Sequence, residues 1–241
     1  GFMANRPRIW MGRLSNLVKC GKIISSTAQD VFAPKQKHEE VGMMQQKYLL
    51  FDLDGTLTDP AEGITNSVMY ALKKWEIEVG DRSELYRFIG PPLQESFERF
   101  FGFSQEKAKQ SVEYYREYFR EKGLFENEVY DGIESMLDSL KKEGKHILLA
   151  TSKPEEFAKR ILEHFHLAQY FDFVSGTTMD GTRCKKGDII QYAIDHYSIQ
   201  NLSEAVMVGD REHDVIGAKK NNIECIGVSY GYAAEGELEK T

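Results

Sequence analysis

The chain has 241 residues, 41% hydrophobic and 29% charged, with 31 Lys and Arg against 38 Asp and Glu for a formal net charge of −7. This is an ordinary globular composition, and its acidic balance excludes a nucleic-acid polymer as partner, because neutralising phosphates requires a clustered excess of Lys and Arg. The apolar runs are strand-sized, far short of the roughly 20 residues of a membrane span, and Cys20, Cys184 and Cys225, odd in number and widely spaced, read as reduced thiols of a cytoplasmic protein.

Charge sets the first boundary. Residues 1–46 carry seven basic groups against three acids, a net +4 that leaves −11 for the remainder. Within them Ile9, Trp10, Leu14, Leu17, Val18 and Ile24 recur at roughly helical spacing, interrupted by Gly12 and Gly21. A leader ahead of an internal start at Met43 or Met44, a docking or membrane-surface helix, and an organelle transit peptide are all open readings. Residues 1–44 are therefore set apart as a basic N-terminal extension.

The next element, Tyr48 to Phe51, reads as a buried strand that runs out into FDLDGTLTD. Asp52 and Asp54 are two apart, so from a continuing strand their side chains point the same way. Two carboxylates side by side repel unless a cation lies between them or one is protonated, which marks a metal site or an acid/base pair. Gly55 lets the chain turn sharply after the strand, and Thr56 places a hydroxyl close to whatever the aspartates hold.

Almost a hundred residues then precede the next strand, too many for one crossover. Leu85, Phe88 and Ile89, then Phe97, Phe100 and Phe101, then Val112, Tyr115, Tyr118 and Phe119 sit at three- and four-residue spacings. This pattern predicts a helical insertion over 63–126, dividing a core built from 45–62 and 127–241. Gly90-Pro91-Pro92 falls between two of its helices, either as a loop that touches substrate or as a rigid interhelical turn.

His146 to Ala150, Phe171 to Val174, Ala205 to Val208 and Ile223 to Val228 read as four more strands. Helix-period segments at Pro154 to His164, Lys186 to Tyr197 and Val215 to Asn221 alternate with them. The alternation predicts an α/β fold with right-handed crossovers and a doubly wound, Rossmann-like parallel sheet.

In such a sheet the strand ends carry the chemistry. After the second strand come Thr151 and Ser152, then Lys153-Pro154 opening a helix, so that a hydroxyl and free N–H groups face an anion. Lys185-Lys186 precedes the next helix, where the macrodipole disfavours a cation unless carboxylates or phosphate are close. The fourth strand ends in GDREHD. There Asp210 leaves the strand and Asp214 follows as a helix N-cap or a further acid, enough oxygen ligands with Asp52 and Asp54 for Mg²⁺. His213 is read as a solvated turn residue, since an oxygen-rich site does not favour imidazole.

FDLDGTLTD, the Thr151 strand end, a lysine before a helix and GDREHD occur in the order that defines the haloacid dehalogenase superfamily of phosphohydrolases. Over residues 46–232 the chain resembles its phosphoglycolate phosphatase-like branch, and the insertion resembles that family's helical cap. The resemblance implies that Asp52 is the nucleophile, that Asp54 is the general acid and base, and that Thr151 and Lys186, preferred over Lys185, hold the phosphoryl oxygens. It also implies Mg²⁺ bound by Asp52, the backbone carbonyl of Asp54, Asp210 and Asp214; Gly55, Thr56, Ser152, Gly90 and Pro91 are the candidates, from their places at strand ends and in the cap loop, for contact with a small phosphorylated metabolite. Members usually continue past the equivalent of Gly231 into a further strand and helix, whereas the sequence here ends at Thr241.

The expected function is Mg²⁺-dependent hydrolysis of a phosphate monoester, with phosphoglycolate, a nucleoside monophosphate or a sugar phosphate as substrate, by a cytoplasmic monomer or homodimer. A phosphomutase of the β-phosphoglucomutase type would share every catalytic residue, and a non-catalytic phospho-ligand binding protein is the alternative of a different class. A dehalogenase is disfavoured, because carbon–halogen displacement needs neither a metal nor an acid at Asp54.

Overall fold

A computed structural model describes residues 17–19, 22–24 and 46–241. Its sheet has the order β2-β1-β9-β8-β3-β6-β7, where β1 is Leu17–Lys19, β2 Lys22–Ile24, β3 Tyr48–Phe51, β6 His146–Pro154, β7 Phe173–Thr177, β8 Ala205–Gly209 and β9 Glu224–Val228. The five strands from β9 to β7 are parallel, and β3 lies in the middle with β6 on one side and β8 on the other.

Alternation along each strand explains the two covered faces. Leu49 and Phe51, Ile147 and Leu149, and Val206 and Val208 pack on one side of the sheet, while Leu50, Leu148 and Met207 pack on the other. Period-two side chains buried on both faces are what a parallel sheet between helix layers requires. Helices α4 (Ile133–Lys142) and α5 (Glu155–His164) cover the first face through Ile133, Leu137, Phe157 and Ile161. Helices α6 (Lys186–His196) and α7 (Glu212–Lys220) cover the second through Ile189, Ile190, Ala193 and Ala218.

The helical insertion consists of α1 (Ala61–Lys73), a 3₁₀ stretch Arg82–Phe88, α2 (Leu93–Phe101) and α3 (Gln105–Tyr118), which continues into a π-helical turn at Phe119–Gly123. Its interior is aromatic: Phe88 packs edge-on against Phe97, their centroids 5.1 Å apart. A short ribbon at its base, β4 (Thr58–Asp59) against β5 (Glu128–Val129), carries the chain out of the core and back. Close above the ribbon α1 meets the π-helical turn, where a Cβ on Gly63 would fall 1.9 Å from the Gly123 carbonyl oxygen.

Three expectations are corrected. Leu17–Lys19 and Lys22–Ile24, set apart from the fold and read at helical spacing, are strands; β1 pairs antiparallel with β9 and β2 with β1. The remainder of residues 1–44 lies outside the described residues, as does Cys20. The helix expected from Pro154 begins at Glu155, because β6 runs on through Thr151, Ser152 and Lys153 to Pro154. Finally α7 starts at Glu212, three residues before the expected Val215.

Candidate active site

The three central strands deliver their C-terminal residues to one point. Asp52 leaves β3, Thr151 lies towards the end of β6 and Asp210 follows β8. Asp52, Asp210 and Asp214 are all buried, and their carboxylate oxygens come within 4.8 Å of one another. Lys186, the first residue of α6, reaches into this group: its Nζ lies 3.0 Å from Asp52 Oδ1 and 2.8 Å from Asp214 Oδ1, and it donates to the Ala150 carbonyl at 3.0 Å. Lys185 is the exposed N-cap residue, so of the two lysines Lys186 is the one turned inward.

Asp214 is a further acid of the cluster and not the helix N-cap, which is Arg211. It sits in the first turn of α7, where Oδ2 accepts the Arg211 backbone N–H at 3.0 Å while Oδ1 faces Lys186. Asp210 accepts the Tyr232 N–H at 2.7 Å and the Thr56 hydroxyl at 3.3 Å. Gly55 adopts φ +83°, and a Cβ there would lie 2.2 Å from Asp210 Oδ2, so only glycine lets the backbone come this close. Gly55 and Thr56 thus both lie against Asp210.

The electrostatics are those of an anionic pocket. Burial pushes the Asp210 carboxyl well above the usual carboxylate range, reinforced by Asp214 and Asp52. Burial also lifts Asp214 to about 6 against the pull of Lys186. For Lys186 burial acts the other way, but Asp214 and Asp52 outweigh it and hold the ammonium above its ordinary range. Three buried carboxylates, of which Asp52 and Asp214 share one ammonium, leave formally two negative charges uncompensated, and a hard divalent cation has the charge and the preference for oxygen ligands to answer them. The residues present therefore fit a metal.

Asp54 belongs to a second pair. Its Oδ2 lies 2.8 Å from Lys153 Nζ, while its buried Oδ1 has no hydrogen-bond partner among the described residues. Burial pushes its carboxyl up, partly offset by Lys153. Sequence reasoning placed Lys153 only at a helix start. The signal available was that Thr151 and Lys153 are two apart on what proves to be the same strand, hence on one face.

A cavity of about 700 Å³ opens above Asp52, Asp54 and Thr151, roofed by the helical insertion through Tyr115 and Phe119. Gly90, Pro91 and Ser152 are among the residues that line it. Asp210, Asp214 and Lys186 lie behind this floor. His213, expected to be solvated, is half-buried, and burial lowers its pKa. Among the described residues no helix is long and apolar enough to cross a membrane.

The family described as haloacid dehalogenase-like hydrolase matches residues 49–228. A 5'-nucleotidase of Pseudomonas aeruginosa is 45% identical over 190 residues, 79% of this chain and 86% of that protein. The tyrosine-protein kinase PtkA of Mycobacterium tuberculosis is 38% identical over 194 residues, 80% of this chain but 65% of that protein. Among solved structures, that of a "predicted phosphatase" from Clostridium acetobutylicum superposes with TM-score 0.79 at 54% identity, covering 81% of this chain and 90% of that one.

Proposed function

The chain belongs to the haloacid dehalogenase-like hydrolase family and is a phosphatase, and from that premise we propose that it hydrolyses a small phosphate monoester through a phosphoryl group carried on Asp52. The observation behind this reading is the pairing of cavity-lining Asp52 and Asp54 with separate lysines, Lys186 and Lys153. Two adjacent carboxylates with different partners are suited to different roles.

In the first step an Asp52 carboxylate oxygen attacks phosphorus, the bond from phosphorus to the ester oxygen breaks, and the proton of Asp54 passes to the departing oxygen to give an alcohol. In the second step Asp54, now a carboxylate, takes a proton from water as that water displaces Asp52 from phosphorus. Phosphate leaves, and both aspartates return to their starting states. Lys186 holds Asp52 in place and offsets its charge against an anionic substrate, and the Thr151 hydroxyl at the cavity floor is positioned for a phosphoryl oxygen. Asp52, Asp210, Asp214 and the Asp54 carbonyl would hold a divalent ion, Mg²⁺ by its preference for oxygen ligands, which supplies positive charge to the phosphoryl oxygens. The insertion acts as a cap that excludes water and selects the leaving group.

A nucleoside monophosphate is the favoured substrate. The cavity of about 700 Å³ leaves ample room beyond a phosphoryl group, and the 45% identical relative is named a 5'-nucleotidase. A cytoplasmic location suits Cys184, an exposed thiol at the cavity. The test is phosphate release from a panel of nucleoside monophosphates, sugar phosphates and phosphoglycolate, with Mg²⁺ and with EDTA. Metal-dependent release from one class supports the reading. No release from any of them by folded protein overturns it in favour of a phosphomutase, which bisphosphate-primed isomerisation would then reveal.

A further inference from the structure

Lys153 is a buried lysine outside the cluster of carboxylates around Lys186, and three contacts fix its place. Its side chain is 5% exposed, with Nζ 2.8 Å from Asp54 Oδ2 and 4.5 Å from the centroid of the Phe119 ring. Its backbone N–H donates to the Thr151 hydroxyl at 3.2 Å, tying the lysine to the floor of the cavity. Phe119 comes from the cap's π-helical turn and is itself held, stacked on Tyr115 at 5.2 Å and packed against Phe157 of α5 at 5.5 Å. An ammonium wedged between a carboxylate and an aromatic face has little freedom to turn elsewhere.

The consequence falls on Asp54. Asp54 lines the cavity; one of its carboxylate oxygens is taken by Lys153, and the other, Oδ1, is buried with no hydrogen-bond partner among the described residues, so Lys153 is the contact that sets the carboxyl's orientation. We infer that Lys153 is the positioning residue of Asp54: it fixes the carboxyl rotamer at the cavity floor, and through Phe119 it makes that orientation depend on the cap being seated. The inference rests on the acid and base reading of Asp54. It assigns to Lys153 no contact with substrate.

Leaving-group dependence separates this from a structural role. An alkyl monoester needs a proton on its departing oxygen, whereas acetyl phosphate releases acetate, which needs none. Because Asp54 also serves as base when water displaces Asp52, the first step is read alone: in single-turnover rapid quench Lys153→Met is expected to slow alcohol release from the best alkyl ester of the panel by about 100-fold, and acetate release from acetyl phosphate by less than about fivefold. Retained acetate release in that first step also shows that the variant is folded. Should Lys153→Met not fold, Lys153→Gln, which keeps a donor at shorter reach, is compared in the same way. Equal losses on the two substrates would overturn the inference. Asp54→Asn in the same single-turnover assay distinguishes the failures: if it slows acetate release as much as alcohol release, the acid reading falls and the inference with it. If Asp54→Asn discriminates and Lys153→Met does not, only the positioning role is lost.

Discussion

Arg211, the N-cap residue of α7, donates from its guanidinium to the backbone carbonyl of Ile89, and so joins the loop that carries Asp210 and Asp214 to the loop that begins Gly90-Pro91-Pro92. The contact is close: Gly90 adopts φ +102°, and a Cβ there would lie 3.0 Å from Arg211 Cγ. On the other side Arg211 Nε meets Glu237 Oε1 at 2.8 Å. One side chain thus holds the cap loop, the acidic loop and the C-terminal segment together.

Arg211→Met removes that joint while leaving the backbone cap of Asp214 intact. A hydrogen bond from a charged group is worth about 1.5 kcal/mol, so KM for the preferred ester is expected to rise about tenfold with a smaller change in kcat. Steady-state kinetics decide it, and an unchanged KM would show that the joint does not help to seat the cap.

Glu237 gives the same joint a pH dependence. Burial raises its carboxyl, but hydrogen bonds from Arg211 and the N–H groups of Glu212 and Ala234 outweigh it and hold it below its ordinary 4.5. A group depressed in the folded state stabilises fully above its unfolded value and loses that contribution as pH falls through the folded one. Wild type should exceed Glu237→Gln by about 1–2 kcal/mol in urea unfolding at pH 7. The gap should be constant at higher pH and begin to narrow as pH falls below about 4.5, and a gap that does not narrow at all in acid would contradict the assignment.

Much of the core was legible because its signals are local. The apolar runs of β3, β6 and β8 end at Asp52, Thr151 and Asp210, and strand length with flanking helices was enough to place those ends together. The cap was legible as helix through the spacing of Phe97, Phe100 and Phe101. What escaped depends on contacts distant in sequence. The ribbon of Thr58–Asp59 with Glu128–Val129 is two residues wide, too short for any period to show. The pairing of Lys153 with Asp54, 99 positions earlier, requires β6 to continue past Ala150, and Pro154 read as a helix start concealed that continuation. The approach of Tyr232 to Asp210 depends on how the chain turns after β9, which no pattern in YGYAAEG encodes.

Gly55→Ala should be among the most damaging single-methyl substitutions in the protein. The new Cβ would lie 2.2 Å from Asp210 Oδ2 in a backbone at φ +83°, so the carboxylate must move or the turn must change. A loss of at least 100-fold in kcat and about 2–3 kcal/mol in stability is expected. Activity within threefold of wild type would mean that Asp210 need not occupy its observed position.

The uncompensated charge of the acid cluster predicts a metal effect readable without substrate. Ion binding to the folded state alone stabilises by about 2.7 kcal/mol at a hundredfold excess over Kd, so Mg²⁺ should raise Tm by several degrees and EDTA should reverse it. Asp210→Asn should respond in the opposite sense in two ways. Replacing a buried carboxylate that lacks a cationic partner by a neutral amide should raise the metal-free stability by about 1–2 kcal/mol. The same substitution should remove most of the Mg²⁺-induced shift, since Asp52 and Asp214 alone already share the Lys186 ammonium. Differential scanning calorimetry of both proteins with and without Mg²⁺ measures both effects. If Asp210→Asn is less stable than wild type in EDTA and still gains the full increment from Mg²⁺, the three carboxylates are held together by protein contacts, not poised for an ion.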